Sequence, residues 1–152
     1  MTLNIADVIS QITSKIQSTG LFDRVNAHEP KNAPGNGLSA AVWVATVSPA
    51  IGQSGLAATT ARVVFSIRVY SNMVQEPQDK IDENLIQALD VVFTSFSRDF
   101  DLGGNVRDID LLGHSGTPLQ AQAGYLDQDG KKFRTFVITL PVVINDVWTQ
   151  VS

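Results

Sequence analysis

Apolar side chains recur at two different periods along this chain, and the switches between those periods divide it into elements. From Leu3 to Ser18, Ile5, Val8, Ile9, Ile12 and Ile16 return every three or four residues, which places them on one stripe of an α-helix. Asn4 stands where an N-cap is expected, Asp7 falls in the first turn, and Gly20 supplies a stop. A second helix is expected from Pro77 to about Arg98. Proline suits a first helical turn, and Asp79, Asp82 and Glu83 lie near the positive end of the helix dipole. Its stripe is Ile81, Leu85, Ala88, Leu89, Val92, Phe93 and Phe96.

Elsewhere the period falls to two, the signature of strands with one buried face. Ala61 to Tyr70 is the plainest case: Val63, Phe65, Ile67 and Val69 point one way, and Arg62, Val64, Ser66, Arg68 and Tyr70 point to an expected wetter face. Leu38 to Val47 is apolar on both faces, with Val42 and Val44 on one and Trp43, Ala45 and Val47 on the other. Leu21 to Ala27 predicts a short first strand, and Val106 to Leu112 a later one. The region from Ala121 to Trp148 reads as a hairpin joined by the four residues Asp127-Gln128-Asp129-Gly130. In its second run Phe136, Ile138, Leu140, Val142 and Ile144 alternate with Thr135, Val137, Thr139 and Val143, so neither face is plainly polar. Residues 28–37 hold two Pro and two Gly and predict a loop, as do Ser48 to Gly55.

The resulting order is α-β-β-β-α-β-β-β. Short connections between strands argue for an α+β domain spanning residues 1–152, with a mixed, mostly antiparallel sheet and two main helices on one face. The other face must then meet water or a partner, and strands apolar on both sides favour the partner.

Composition narrows the function by subtraction. With no Cys, disulfides, thiolate metal sites and cysteine nucleophiles are excluded. The net charge is −4 and the eleven Lys and Arg are scattered, with Lys131, Lys132 and Arg134 as the nearest thing to a cluster. Tight nucleic-acid binding is not expected of such a chain. The start lacks the basic flank and apolar core of a signal peptide. No apolar run approaches the roughly 18 residues that span a bilayer, so no membrane is expected.

Candidate chemistry is weak throughout. His28 and His114 both lie in loop-like sequence, and neither has the companions a zinc site needs. Asp127, Asp129 and Gly130 resemble the start of a calcium loop, but apolar residues fill the position of its terminal Glu. Asp108 and Asp110, two apart on a strand, would share a face, and their repulsion predicts exposure to solvent. Ser54 between Gly52 and Gly55 has neither the elbow pattern nor an evident His partner. No phosphate-binding glycine motif is present. The expectation is a protein without catalytic residues, metal or cofactor. Trp43, inside a strand, reads as core, and Trp148 as an interface anchor.

Several segments together resemble the tail terminator, or tail completion, proteins of tailed bacteriophages. They are Phe22-Asp23-Arg24-Val25 leading to His28-Glu29-Pro30, Ala40-Ala41-Val42-Trp43, Ser54-Gly55-Leu56 and Val63 through Arg68. Further on come Pro77 with Asp82, Asp99 through Gly104, Val106 through Asp110, and Gly124-Tyr125 through Val143-Ile144-Asn145-Asp146-Val147-Trp148. The likeness covers most of the chain, and no single motif in it is diagnostic. It implies a structural protein of the virion tail and neck, assembled in the host cytoplasm. Such a protein forms a hexameric ring on the tail tube, stops tube growth and docks the head, while DNA passes through its lumen without specific binding.

Implied partners are further copies of the chain, the tail tube protein, and a stopper or connector protein, with tape measure or sheath protein as additional neighbours. The surfaces expected to meet them include Pro30, Asn32, Pro34, Pro49, Ile51, Leu56, Asp127, Lys131 and Trp148. Two other readings stay open: another neck component, such as a stopper or connector adaptor, and a small ligand-binding α+β protein.

Overall fold

A computed structural model describes residues 5–20, 22, 24–26, 38–49, 58–72, 81–99, 101–102, 106–113, 116–128 and 131–149 of the protein. The order is α1 (Ile5–Gln17), β1 (Arg24–Asn26), β2 (Leu38–Pro49), β3 (Ala58–Asn72), α2 (Ile81–Arg98), β4 (Asp108–Ile109), β5 (Gln120–Gln128) and β6 (Lys131–Thr149). This is the α+β arrangement the periodicity predicts. The six strands form one sheet in the order β1-β2-β3-β6, with β4 and β5 following one another along the far side of β6. Every pairing is antiparallel except that of β1 with β2.

The long pairing of β3 with β6 is the spine. It brings Val63, Phe65, Ile67 and Val69 beside Val142, Leu140, Ile138 and Phe136 on one face. Both helices lay their stripes on this face. Val8, Ile12 and Ile16 of α1 and Leu85, Val92 and Phe96 of α2 join Val42, Phe65, Ile67, Ile138 and Leu140 in one continuous core. Lys15 in the last turn of α1 meets Asp99 just beyond α2 at 2.7 Å, so the two C-terminal ends lie side by side. Gly20, at φ 73°, accepts the left-handed turn that ends α1. Leu102 does the same after α2 at φ 49°, a conformation disfavoured for a branched side chain, and burial of that side chain to 2% exposure offsets the strain.

Six expectations need correction. A bulge between Val44 and Thr46 shifts the alternation of β2, so Val47 pairs with Val63 and lies on the helix side, not with Trp43. The strand predicted over Val106 to Leu112 shrinks to two residues, because the chain turns at Asp110 and Leu111. The four-residue connection of the last hairpin is two residues long, since Gln128 pairs with Lys131 and Asp127 with Lys132. The expected wetter face of β3 buries Arg62 and Tyr70. Asp110 is likewise buried, where repulsion from Asp108 predicted exposure. The loop expected over Ser48 to Gly55 also starts later, because Ser48 and Pro49 pair with Arg62 and Ala61 and close β2; its remainder, the loop at 28–37, the expected N-cap Asn4 and the start of α2 at Pro77 lie outside the described residues.

The core makes a direct prediction. Phe65, fully buried at the centre of β3, should cost about 3–5 kcal/mol on truncation to Ala, read from urea unfolding. Ile86→Ala, on the exposed side of α2 at 56% exposure, should stay within about 0.5 kcal/mol of the parent.

Candidate interaction surface

With both helices on one face, the interest moves to the other. That outer face carries Ala41 and Trp43 of β2, Arg62 through Tyr70 at alternate positions of β3, and Thr135 through Val143 at alternate positions of β6. No described helix residue contributes to its apolar cluster of Ala41, Tyr70 and Trp43. Trp43, Val64, Ser66, Arg68, Val137 and Thr139 are half-buried there.

Part of this face is closed by a clamp. Arg62 extends from β3 and donates from Nη2 to the carbonyl of Thr117 at 2.6 Å, while the same nitrogen pairs with the Asp110 carboxylate at 3.5 Å. Both side chains are under 10% exposed, at 8% and 6%. Backbone bonds stiffen the loop that bears these acceptors: Gly113 N–H to Asp110 O at 3.3 Å, Gly116 N–H to Gly113 O at 3.3 Å, and Leu119 N–H to Leu111 O at 3.2 Å. Gly116 is required by the close approach, because a Cβ there would stand 2.9 Å from the guanidinium carbon of Arg62. The pairing explains why Asp110 is buried. The opposite charge that compensates it comes from β3, forty-eight residues away in sequence.

The rest of the face is half-buried, with no described helix over it. Arg68 lies over the Trp43 ring, 5.0 Å from its centroid, a cation–π contact between two half-buried side chains. Beside it Arg68, Gln122, Gly124, Tyr125, Thr135 and Val137 border a shallow depression of about 360 Å³. Gly124 leaves room here, for a Cβ would meet Thr135 Oγ1 at 3.3 Å. On the outer face its border supplies one cation, an amide and a hydroxyl, while the register puts the Tyr125 side chain on the opposite face with Arg134 and Phe136. Among the described residues, the border holds no carboxylate or imidazole. At the adjacent strand ends Arg134 lies between Tyr125 and Phe136, 4.6 Å and 5.6 Å from the ring centroids, and donates to the Gly124 carbonyl at 3.2 Å.

The described residues among those singled out in sequence do not converge. Pro49, exposed at the end of β2, pairs with Ala61, and Trp148, near the end of β6, pairs with Thr59. Asp127 and Lys131 lie at the opposite end of the sheet, on the β5–β6 hairpin. At ~3.3 Å per residue along β6, the two groups stand roughly 40–55 Å apart. Pro30, Asn32, Pro34, Ile51 and Leu56, with His28, His114 and Ser54, lie outside the described residues. Sequence reading passed over Arg62, Arg68, Tyr125 and Arg134. A usable signal existed for the first two, since an arginine embedded in a strand of apolar neighbours needs a partner or a ring to lie on.

Compared with known proteins, the chain matches no family model and no curated sequence. Among the described residues no helix is long and apolar enough to cross a membrane. The class the fold defines is an α+β sheet protein with one helix-covered face and one open face.

The clamp can be tested by unfolding. Arg62→Met should cost about 3–5 kcal/mol, because Asp110 stays buried without its counter-charge. Adding Asp110→Leu should recover stability relative to that single variant, as a double-mutant cycle would show.

Proposed function

We propose that the protein is a structural ring subunit of the tail terminator type, which caps a phage tail tube and presents a docking surface to the neck. The observation that carries this reading is the outer sheet face. Two helices satisfy one side of the sheet, while Trp43, Val64, Arg68 and Val137 lie half-buried on the other without a helix layer. Burying such a mixed apolar and aromatic surface against further copies is the ordinary solution for an assembling protein.

Two further features support it. Among the described residues the depression is bordered by groups that bind, Arg68, Gln122 and Thr135, which suits a structural role. The charge balance fits a conduit, since six copies at −4 each would carry a formal −24. A lumen of that sign repels the DNA backbone and lets it slide. The resemblance in sequence supplies the copy number and the place in the virion. Heterologous contacts close into a ring when the rotation between copies fits, and otherwise run on as a filament.

Light scattering on the purified protein should give the mass of six protomers, and negative-stain images should show rings with a central hole. Phage particles made without the protein should carry overlong tails of varied length. Normal tails beside leaking heads would instead identify a stopper or connector adaptor. A protomer that remains single at high concentration would overturn the ring reading.

A further inference from the structure

The outward side of α2 is more apolar than a solvated helix requires. Ile86 and Val91 are 56% and 37% exposed, two of the five large hydrophobic residues left exposed among those described. Residues three and four apart are neighbours on a helix, so Ile86, Gln87, Asp90 and Thr94 form one solvent-facing stripe, with Val91 along its margin. Asp90 thus stands between two exposed apolar side chains, and no described residue pairs with it. On the outward side of α1, by contrast, Ala6, Asp7, Ser10, Gln11 and Ser14 are small or polar, as an ordinary surface helix requires.

The surface around Arg68 is its counterpart. Trp43, Val64 and Val137 supply half-buried apolar area, and Arg68 supplies one positive charge. Apart from the Trp43 ring, no described residue pairs with that guanidinium. In the depression beside it, Thr135 is only 3% exposed and turns its hydroxyl toward Gly124, while Gln122 adds an amide. These groups are donors, and the guanidinium fork matches a carboxylate in shape and charge. One cation suits one carboxylate, whereas a nucleic-acid backbone calls for a row of them. One surface therefore sets an unpaired cation among apolar side chains, and the other sets an unpaired anion among them.

We propose that the outward stripe of α2 in one copy docks on the outer sheet face of the next, with Asp90 on Arg68. The inference rests on the ring reading and names the contact that closes it. Placement within the protomer supports it. From the helix side α2 packs on β3 and β6, and Arg68 and Val137 project from the same two strands on the other side. The two surfaces of one copy therefore point in opposite directions, and neither can satisfy the other. A second copy stacked in the same sense brings them together and leaves its own outer face ready for a third. Such a contact is head-to-tail, and it closes into a ring when the turn between copies fits.

Rival carboxylates are already engaged or placed less well. Asp99 pairs with Lys15, Asp110 with Arg62 and Asp108 with Arg107. Asp7 has a partner too, and its neighbours on α1 are Ser10 and Gln11. Asp101 is half-buried at the turn beyond α2. With Asp90 docked, each sheet lies between its own helices and a helix of the next copy, so strands that are apolar on both faces become covered on both.

Charge reversal tests the contact. Arg68→Glu and Asp90→Arg should each raise the concentration at which rings form by at least roughly tenfold, as light scattering would read. Asp90→Arg also takes the net charge from −4 to −2, which by itself favours association, so weaker assembly cannot be a bulk-charge effect. Mixed in equal amounts, the two single variants should form alternating rings of the parental mass, because each then meets an opposite charge at both of its contacts. The double variant should assemble as the parent does. Ile86→Ala, neutral for folding of the protomer, should raise the threshold by at least roughly fivefold. Circular dichroism would verify that each variant is folded, and Ile86→Ala still reports on the contact if a charge variant is not. If the parent forms rings and all the single variants assemble as it does, the contact is wrong and the ring reading stands. Folded charge variants that fail alone and stay apart when mixed would show that the two residues do not meet, and would overturn it. Loss of assembly from Arg68→Glu alone would give the Arg68 surface to a different carboxylate and overturn it as well. A parent that is monomeric would remove the ring reading, and this contact with it.

Discussion

The antiparallel pairing of β3 with β6 is the constraint on which the rest of the structure depends. Both strands are long, at fifteen and nineteen residues, and they stay in register through the centre of the sheet. Side chains on paired strands alternate together, so one registration gathers Val63, Phe65, Ile67, Ile138, Leu140 and Val142 onto a single face. The helices need only deliver their stripes to that face. Shifting the register by one residue would carry this whole set to the opposite side, leaving Leu85, Val92 and Phe96 without a partner surface.

The same alternation creates the second problem of the fold. Whatever satisfies one face leaves Val64, Ser66, Arg68, Thr135, Val137 and Thr139 on the other. The chain handles this surface in two ways. Near Arg62 it folds the loop after β4 back over the sheet, and the cost of burying a guanidinium is offset by a carbonyl and a carboxylate. Near Arg68 it lays the cation on an indole and goes no further. The first device closes a region, while the second leaves a mixed aromatic and cationic surface of the type enriched at protein interfaces. A sheet half closed in this manner is complete in its core and incomplete at its surface.

Edges repeat the theme. Shortness and charge protect β1 and β4, whereas Gln120–Gly124 of β5 and Val42–Ser48 of β2 carry no charged residue. The β2 bulge bears on this as well, because it turns Val47 toward the helix side beyond the reach of the helices, where it is 44% exposed. The strands of this protein therefore extend past the core that stabilises them. In an isolated molecule that extension exposes backbone and apolar surface, and in an assembly it supplies both.

Much of the fold was legible along the chain. The two helical stripes and the alternation of Val63 through Val69 and of Phe136 through Ile144 specify which residues are buried, because those periods are imposed by local backbone geometry. The candidate surface was much less so. Asp110 pairs with a residue forty-eight positions away, and before folding it looks like half of a repelling pair with Asp108. The bulge that redirects Val47 is set by how β2 registers against β3, and nothing local announces it. Trp43 reads as core from its strand, yet only the placement of both helices on the opposite face leaves it half-buried beside Arg68. Local periodicity thus determined the elements and their inward faces, while the tertiary structure decided which charges are neutralised, which edges stay bare and where the surface opens, because each of those depends on a partner distant in sequence.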